Sequence, residues 1–177
     1  MPARRVGPFT LVELLTVMAI VAVLAALLLP ALGAARAKAR EAACRSNVHQ
    51  IGLGVLTYVA EYRDHLPVAA RLGPEPLLGW PALRDLLGGP WRDSEVWRCP
   101  ADVDPQTALF PAFGTSYEWN SFLNGKLVDR ASFRLAGLEV VPPLLGDGEA
   151  FHGGQRRHYL YADGHVSASL EVLIRAP

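Results

Sequence analysis

The chain has 177 residues, is 51% hydrophobic and 19% charged, and balances seventeen Lys+Arg against seventeen Asp+Glu. This is the length of one domain. It is too apolar for intrinsic disorder, and it lacks the positive surplus of a nucleic-acid binder, so no nucleic-acid partner is expected. Its two cysteines are too few for a disulfide-dense mini-domain or a four-cysteine zinc module. The averages conceal an asymmetry: residues 1–65 carry seven basic and four acidic groups, whereas residues 66–177 carry ten and thirteen.

Arg4 and Arg5 precede a long apolar run. Leu14 to Ala35 is a stretch of 22 residues without a charge, and Phe9 to Val12 extends it upstream across Glu13. About 20 apolar helical residues span a bilayer core, so this segment reads as a single transmembrane helix. Pro30 and Gly33 lie near its far end, and membrane helices tolerate both. Glu13 is costly there unless it is paired, protonated or within reach of the headgroups. A cleavable secretory signal is the rival reading, with Ala31–Gly33 or Ala35–Ala37 as its small-residue cleavage site. The length of the run, the acidic Glu13 and a helical pattern that continues downstream speak against it.

The segment Phe9-Thr-Leu-Val-Glu13, continued by the apolar run to Pro30, resembles the N-terminus of type IV prepilins and type II secretion pseudopilins. That family has a short basic leader, then Phe, a Glu four residues later, and an apolar helix with a proline in its later part. The resemblance implies that a prepilin peptidase removes the leader and methylates the new amine of Phe9. It also implies that Glu13 and Pro30 serve assembly into a filament. Gly7-Pro8-Phe9 departs from the family's direct Gly-Phe junction. Cleavage before Phe9 puts Pro8 on the leaving side, cleavage after Gly7 lengthens the spacing to Glu13 by one, and an uncut leader is the third alternative. Arg36, Lys38, Arg40 and Arg45 after the span outnumber Arg4 and Arg5 before it, which by charge alone favours a cytoplasmic C-terminal side. The resemblance implies the reverse and is followed here: a single pass through a bacterial inner membrane, with the head in the periplasm.

Downstream, Val48, Ile51, Val55, Tyr58, Val59 and Tyr62 recur at three- and four-residue steps, the stripe of an amphipathic helix. One helix is therefore expected from about Phe9 to Arg63, ended by Asp64-His-Leu-Pro67. Gly52 and Gly54 weaken it by about 1 kcal/mol each, which close packing on a sheet would explain. The expected organisation is a leader at 1–8, a transmembrane half-helix at 9–35, an amphipathic half-helix at 36–64 and a globular head at 65–177.

Residues 66–177 hold 12 Gly and 11 Pro, so regular elements there must be short. Trp80 to Gly88 reads as a helix with Pro81 at its first position, and Val96 to Cys99 as a strand cut off by Pro100. Ser116 to Leu123 reads as extended up to the turn pair Asn124-Gly125. A strand at Glu139–Val141 resumes at Leu144-Leu145 after two prolines. His158 to Leu170 reads as a hairpin about a two-residue Asp163-Gly164 turn, with Val166, Ala168 and Leu170 on its buried face. Helix first and short strands after gives an α+β class: a long N-terminal helix packed on a small antiparallel sheet. The segment from Cys44 to Tyr58, Cys99-Pro-Ala-Asp102, Ser116-Tyr-Glu-Trp-Asn120, His152-Gly-Gly and the run from Tyr159 to Val166 resemble the pseudopilin-like proteins of planctomycete- and verrucomicrobia-type bacteria.

Candidate chemistry is sparse. Cys44 and Cys99 are either a disulfide, which an exported head permits, or two buried thiols. As a disulfide the pair closes a loop of 55 residues, worth about 3–4 kcal/mol in the chain-entropy model. His152, His158 and His165 with Asp147 and Asp163 do not have zinc-motif spacing. Asp147 and Asp163 are candidate calcium ligands, since some secretion pseudopilins that the chain resembles hold calcium in a head loop; as Asp-Gly pairs they also read as plain turn residues. A nucleophile elbow, a P-loop and a dinucleotide fingerprint are all missing from the sequence, so the chain is not expected to be an enzyme or, calcium aside, to need a cofactor. The resemblance implies a structural subunit of a type II secretion pseudopilus or type IV pilus-like filament. Its expected partners are further copies of itself, a prepilin peptidase, an inner-membrane assembly platform and the lipid bilayer. The alternative is a membrane-tethered periplasmic module that binds a polysaccharide or an envelope partner. An exported hydrolase built on the head's His and Asp residues is the third reading, and it lacks a catalytic constellation.

Overall fold

The structure, a computed structural model, describes residues 10–135, 138–153, 156–171 and 173–175, and divides into two compact units, Met1–Lys38 and Ala39–Pro177. Helix α1 (Leu11–Glu61) starts in the first and ends in the second.

In the first unit the helix opens with a reciprocal cap. The Thr10 hydroxyl oxygen accepts from the Glu13 amide at 3.2 Å, and the Glu13 carboxylate accepts from the Thr10 amide at 2.9 Å and from its hydroxyl at 2.7 Å. This is a capping box, which satisfies amide donors that a helix start otherwise leaves unpaired. The helix then runs through Pro30 without interruption, and every residue from Thr10 to Lys38 is exposed. The uncharged Leu14–Ala35 stretch rises about 33 Å, matching a hydrocarbon core of about 30 Å.

In the second unit α1 becomes amphipathic. Cys44, Val48, Ile51, Gly52, Val55 and Val59 are buried along one stripe, at the spacing that the sequence predicts. Tyr58 is half-buried and stacks on the exposed Tyr62, ring centroids 4.0 Å apart. The helix ends where Arg63 and Asp64 adopt positive φ (54° and 62°) and the Asp64 amide bonds back to the Val59 carbonyl at 2.9 Å.

Among the described residues the head contains α2 (Leu83–Leu87), α3 (Gly89–Arg92) and α4 (Leu109–Phe113) and seven short strands. Strands β1 (Tyr117–Trp119), β4 (Leu145–Asp147), β5 (Tyr159–Leu160) and β6 (Val166–Ser167) form an antiparallel sheet in the order β1-β4-β5-β6, whereas β2 (Phe133–Leu135), β3 (Leu138–Val141) and β7 (Leu173–Arg175) form a second antiparallel sheet in the order β2-β3-β7. Tyr117, Trp119, Leu145 and Leu160 belong to one buried cluster with the α1 stripe. A Cβ at Gly52 would lie 2.7 Å from a Leu160 methyl, and one at Gly54 would lie 3.1–3.2 Å from Leu87 and Trp91. The glycines therefore let the helix backbone approach β5 and the α2–α3 segment. This is the α+β arrangement of a long helix and a small antiparallel sheet that the sequence implies.

Several local expectations are corrected. Glu95–Trp97 is a 3₁₀ turn rather than a strand, because the Ser94 hydroxyl accepts from the Val96 amide and caps it. Extended structure after Ser116 stops at Trp119, where the Asn120 side chain accepts from the Phe122 amide and starts a second 3₁₀ turn at Ser121–Leu123. Pro81 lies ahead of α2 rather than at its first position, its carbonyl taken by the Ala70 amide at 2.9 Å. The β5–β6 hairpin turns on three residues, Ala162 to Gly164. Gly164 carries a φ of 86°, its amide bonds to the Tyr161 carbonyl, and the Tyr161 amide bonds to the His165 carbonyl. That is a type I turn closed by a glycine bulge, not the expected two-residue turn. Beyond it, Ser167 accepts from the Ser169 amide and donates to Glu171. The strand ends there, and Ala168 and Leu170 are exposed rather than buried.

Gly52→Val should lower head stability by about 1–3 kcal/mol, the cost of an overpacked core position, whereas Gly33→Val, whose added Cβ would meet nothing beyond its own helix within 4 Å among the described residues, should leave it unchanged. Thermal melting followed by tryptophan fluorescence checks both; equal melting temperatures for the two variants would contradict the packing account.

Candidate functional site

Two places carry polar chemistry in unusual surroundings. The first is Glu13. Its carboxylate sits at the start of an apolar, exposed helix and, among the described residues, is engaged by Thr10. The sequence reading missed this bond, although Thr10-Leu-Val-Glu13 is a capping-box signature legible in the sequence. Gly7, Pro8 and Phe9, the expected processing and methylation positions, lie outside the described residues. Pro30 is exposed within the helix.

The second is a buried cluster between α1 and the head's four-stranded sheet. Cys44, from α1, and Cys99, which follows the Glu95–Trp97 turn, are joined by a disulfide with Cα atoms 5.0 Å apart. Cys99 is set in a frame of local hydrogen bonds. Its amide donates to the Ser116 hydroxyl oxygen at 3.0 Å, that hydroxyl donates to Asp102 at 2.7 Å, and Asp102 also accepts the Leu109 and Phe110 amides at the start of α4. The Cys99–Asp102 and Ser116–Asn120 motifs are thereby one unit. On the other side of the disulfide, the Tyr117 hydroxyl donates to Cys44 Sγ at 3.6 Å, and His152 Nε2 lies 3.8 Å from Cys99 Sγ.

Asp147, the last residue of β4, binds this cluster to the hairpin. Its Oδ2 accepts the His158 amide at 2.8 Å, lies 3.0 Å from His158 Nδ1 and lies 3.3 Å from His152 Nε2. The two imidazoles meet edge-on at 4.6 Å. Asp147 is 1% exposed, and its Oδ1 has no hydrogen-bond partner among the described residues. Burial pushes the Asp147 pKa up, but the hydrogen bonds from His152, from the His158 ring and from the His158 amide outweigh that, and the net shift is downward from 3.8. Burial raises the Tyr117 phenol.

Asp163, proposed from sequence as a calcium ligand beside Asp147, has different company. It accepts the His165 amide at 3.1 Å and lies 2.6 Å from His165 Nδ1, in the exposed hairpin turn. His165 stacks on Tyr161 and also meets Glu171. Burial acts to lower the His165 pKa, and the Asp163 and Glu171 carboxylates raise it above the ordinary imidazole value. The structure thus sorts the five candidate residues into a buried Asp147–His152–His158 group and a surface Asp163–His165 pair.

A shallow groove of about 250 Å³ lies over the outer face of the four-stranded sheet. Arg71, Glu118, Asn120, Phe122, Arg157 and Tyr159 line it. Arg71 pairs with Glu118, Arg157 pairs with Glu149, and the Tyr159 ring covers Gly146.

The family model described as "Protein of unknown function (DUF1559)" matches residues 33–94, about a third of the chain. The chain is similar to that family over the Cys44-bearing half of α1 and the first part of the head. This supports a pilin-like protein. No curated protein and no solved structure matches the chain.

The lowered Asp147 pKa fixes the sign of a pH dependence. The carboxylate contributes stability at pH above its unfolded value, near 3.8, and loses that contribution as pH falls through the lower folded value. Acid titration of stability should therefore show an acid-side loss in the wild type that is reduced in Asp147→Asn, which should itself be less stable at neutral pH. Asp147→Ala should cost about 3–5 kcal/mol, the penalty for removing one member of a buried, hydrogen-bonded pair. Superimposable acid limbs for wild type and Asp147→Asn would contradict the assignment.

Proposed function

We propose that the chain is a structural, non-enzymatic subunit of a filament of the type II secretion pseudopilus or type IV pilus kind. The observation that carries this reading is the helix from Leu11, apolar and exposed on every side through Ala35. An apolar surface on that scale needs a bilayer or like helices around it. The family match, which begins at residue 33, supports the pilin-like part of the reading; the prepilin-like N-terminal motif supports the rest. On this reading a prepilin peptidase removes the leader and methylates the amine of Phe9. The subunit waits in the inner membrane with its head in the periplasm, and an assembly platform stacks it by its helix.

Glu13 gives that stacking a register. In a low-dielectric bundle its carboxylate exchanges the Thr10 contacts for the amine of Phe9 in a neighbouring subunit. A wrong register leaves the charge unpaired and is penalised. Glu13→Ala should leave the monomer folded and abolish filaments in electron micrographs of the assembling strain; normal filaments would sink the reading. Glu13→Gln, which keeps the capping acceptor but removes the charge, separates helix capping from assembly.

Intact mass and N-terminal sequencing of membrane-extracted protein read the processing step directly. The expected species starts at a methylated Phe9. A species beginning near Ala34 would replace this account with a secretory signal. The sheet-face groove favours a second reading, a membrane-tethered monomer that grips a saccharide. Cysteine cross-linking along the Leu14–Ala35 face decides between them, since tethered monomers yield no helix-to-helix ladder.

A further inference from the structure

We propose that Cys44, Cys99, His152 and Asp147 form a tetrahedral zinc-type metal site in the reduced chain, in which the metal ion and the disulfide are mutually exclusive ways of closing the same buried centre. All four residues are buried, and their donor atoms lie within 4.8 Å of one another. Two thiolates, an imidazole nitrogen and a carboxylate oxygen are the donors that Zn²⁺ takes, at bond lengths that set tetrahedron edges of about 3.3–3.8 Å. The set therefore contracts by about 1 Å at its longest edge while the two sulfurs part.

The chain positions support that movement. Cys44 is on a helix and Cys99 is on an irregular segment whose amide Ser116 holds, so the sulfurs part by rotation about the Cα–Cβ bonds while the backbone stays in place. His152 Nε2 already lies 3.8 Å from Cys99 Sγ and 3.3 Å from Asp147 Oδ2. Asp147 Oδ1 is buried without a partner among the described residues. An orphaned carboxylate oxygen in a closed interior calls for a ligand, and a metal ion supplies one.

A supporting shell is also in place. The His158 ring and amide hold Asp147 Oδ2, the Tyr117 hydroxyl donates to Cys44 Sγ, and the Cys99 amide is fixed on Ser116. Such outer partners orient ligating groups and tune their basicity.

A dithiol reductant gives two electrons and two protons to the Cys44–Cys99 bond and closes to its own disulfide, leaving two thiols. The entering divalent ion displaces both thiol protons to solvent and is bound by the two thiolates. Reoxidation by a disulfide-bearing oxidant runs the other way and expels the ion.

The test uses the full chain in detergent micelles, reduced with a dithiol, freed of it without air, and titrated with Co²⁺ and then Zn²⁺. The expected result is one Co²⁺ per chain with thiolate charge-transfer absorption and the intense visible bands of a tetrahedral site, displaced by Zn²⁺. The oxidised chain should bind neither ion. Tyr117→Phe should weaken binding on the order of 10–100-fold, as outer-shell changes do, with the tetrahedral spectrum kept. His152→Ala should lose that spectrum. If the reduced chain unfolds, Zn²⁺ should restore its circular dichroism and raise its melting temperature. The proposal is overturned if the reduced chain gives no tetrahedral spectrum and Zn²⁺ leaves its fold and melting unchanged. It is overturned equally if the Cys44→Ser/Cys99→Ser chain binds as well as the reduced wild type.

Discussion

The junction of the lower half of α1 with the head is the constraint on which the second unit depends. A helix carrying Val48, Ile51, Val55 and Val59 on one side must cover that stripe, and short strands in a Pro- and Gly-rich head cannot form a core alone. Gly52 lets the helix approach Leu160 of β5, and the Cys44–Cys99 bond ties the helix to the segment after the Glu95–Trp97 turn. A bond closing 55 residues removes about 3–4 kcal/mol of chain entropy from the unfolded state. In a head built from two- to five-residue elements, that is a large share of the usual stability of about 5–15 kcal/mol.

The polar residues around the disulfide follow from this junction. Cys99 can meet Cys44 only if its loop is held, and Ser116 and Asp102 hold it. Asp147 is drawn inside with them, and its charge is tolerable there because His152 and the ring and amide of His158 face it. Charges buried this way need their partners. The second sheet and the Asp163–His165 turn lie outside that requirement: one is tied by backbone pairing, the other by exposed contacts that contribute little in water.

Glu13 shows the same economy at the other end of the chain. A carboxylate four residues after Phe9 answers one need in the structure and a second on the proposed filament reading. In the single chain it closes the helix start with Thr10. In the filament proposed above it would be the one charge within the apolar surface, and it would favour the packing that pairs it.

The sequence by itself determined the long helix, its apolar first half and its amphipathic second half, because periodicity and charge spacing are local properties that a single element must express. It also determined the α+β class and the need for close approach at Gly52. Local turn chemistry was harder to read. Ser94, Asn120 and Ser167 redirect the backbone through single side-chain hydrogen bonds, which override strand-like composition at Val96–Cys99, after Trp119 and at Ala168–Leu170. Only the tertiary structure decided which of the candidate ligands meet. Asp147 and Asp163 look alike in sequence, each followed by glycine, yet one lies in the interior between two histidines and the other at a hairpin tip. Cys44, Cys99 and the neighbouring Asp147 and His152 come from three separate stretches of the chain, and no spacing rule links them. Their convergence is a property of how the sheet and the Cys99 loop pack against α1, which the linear order of residues does not encode locally.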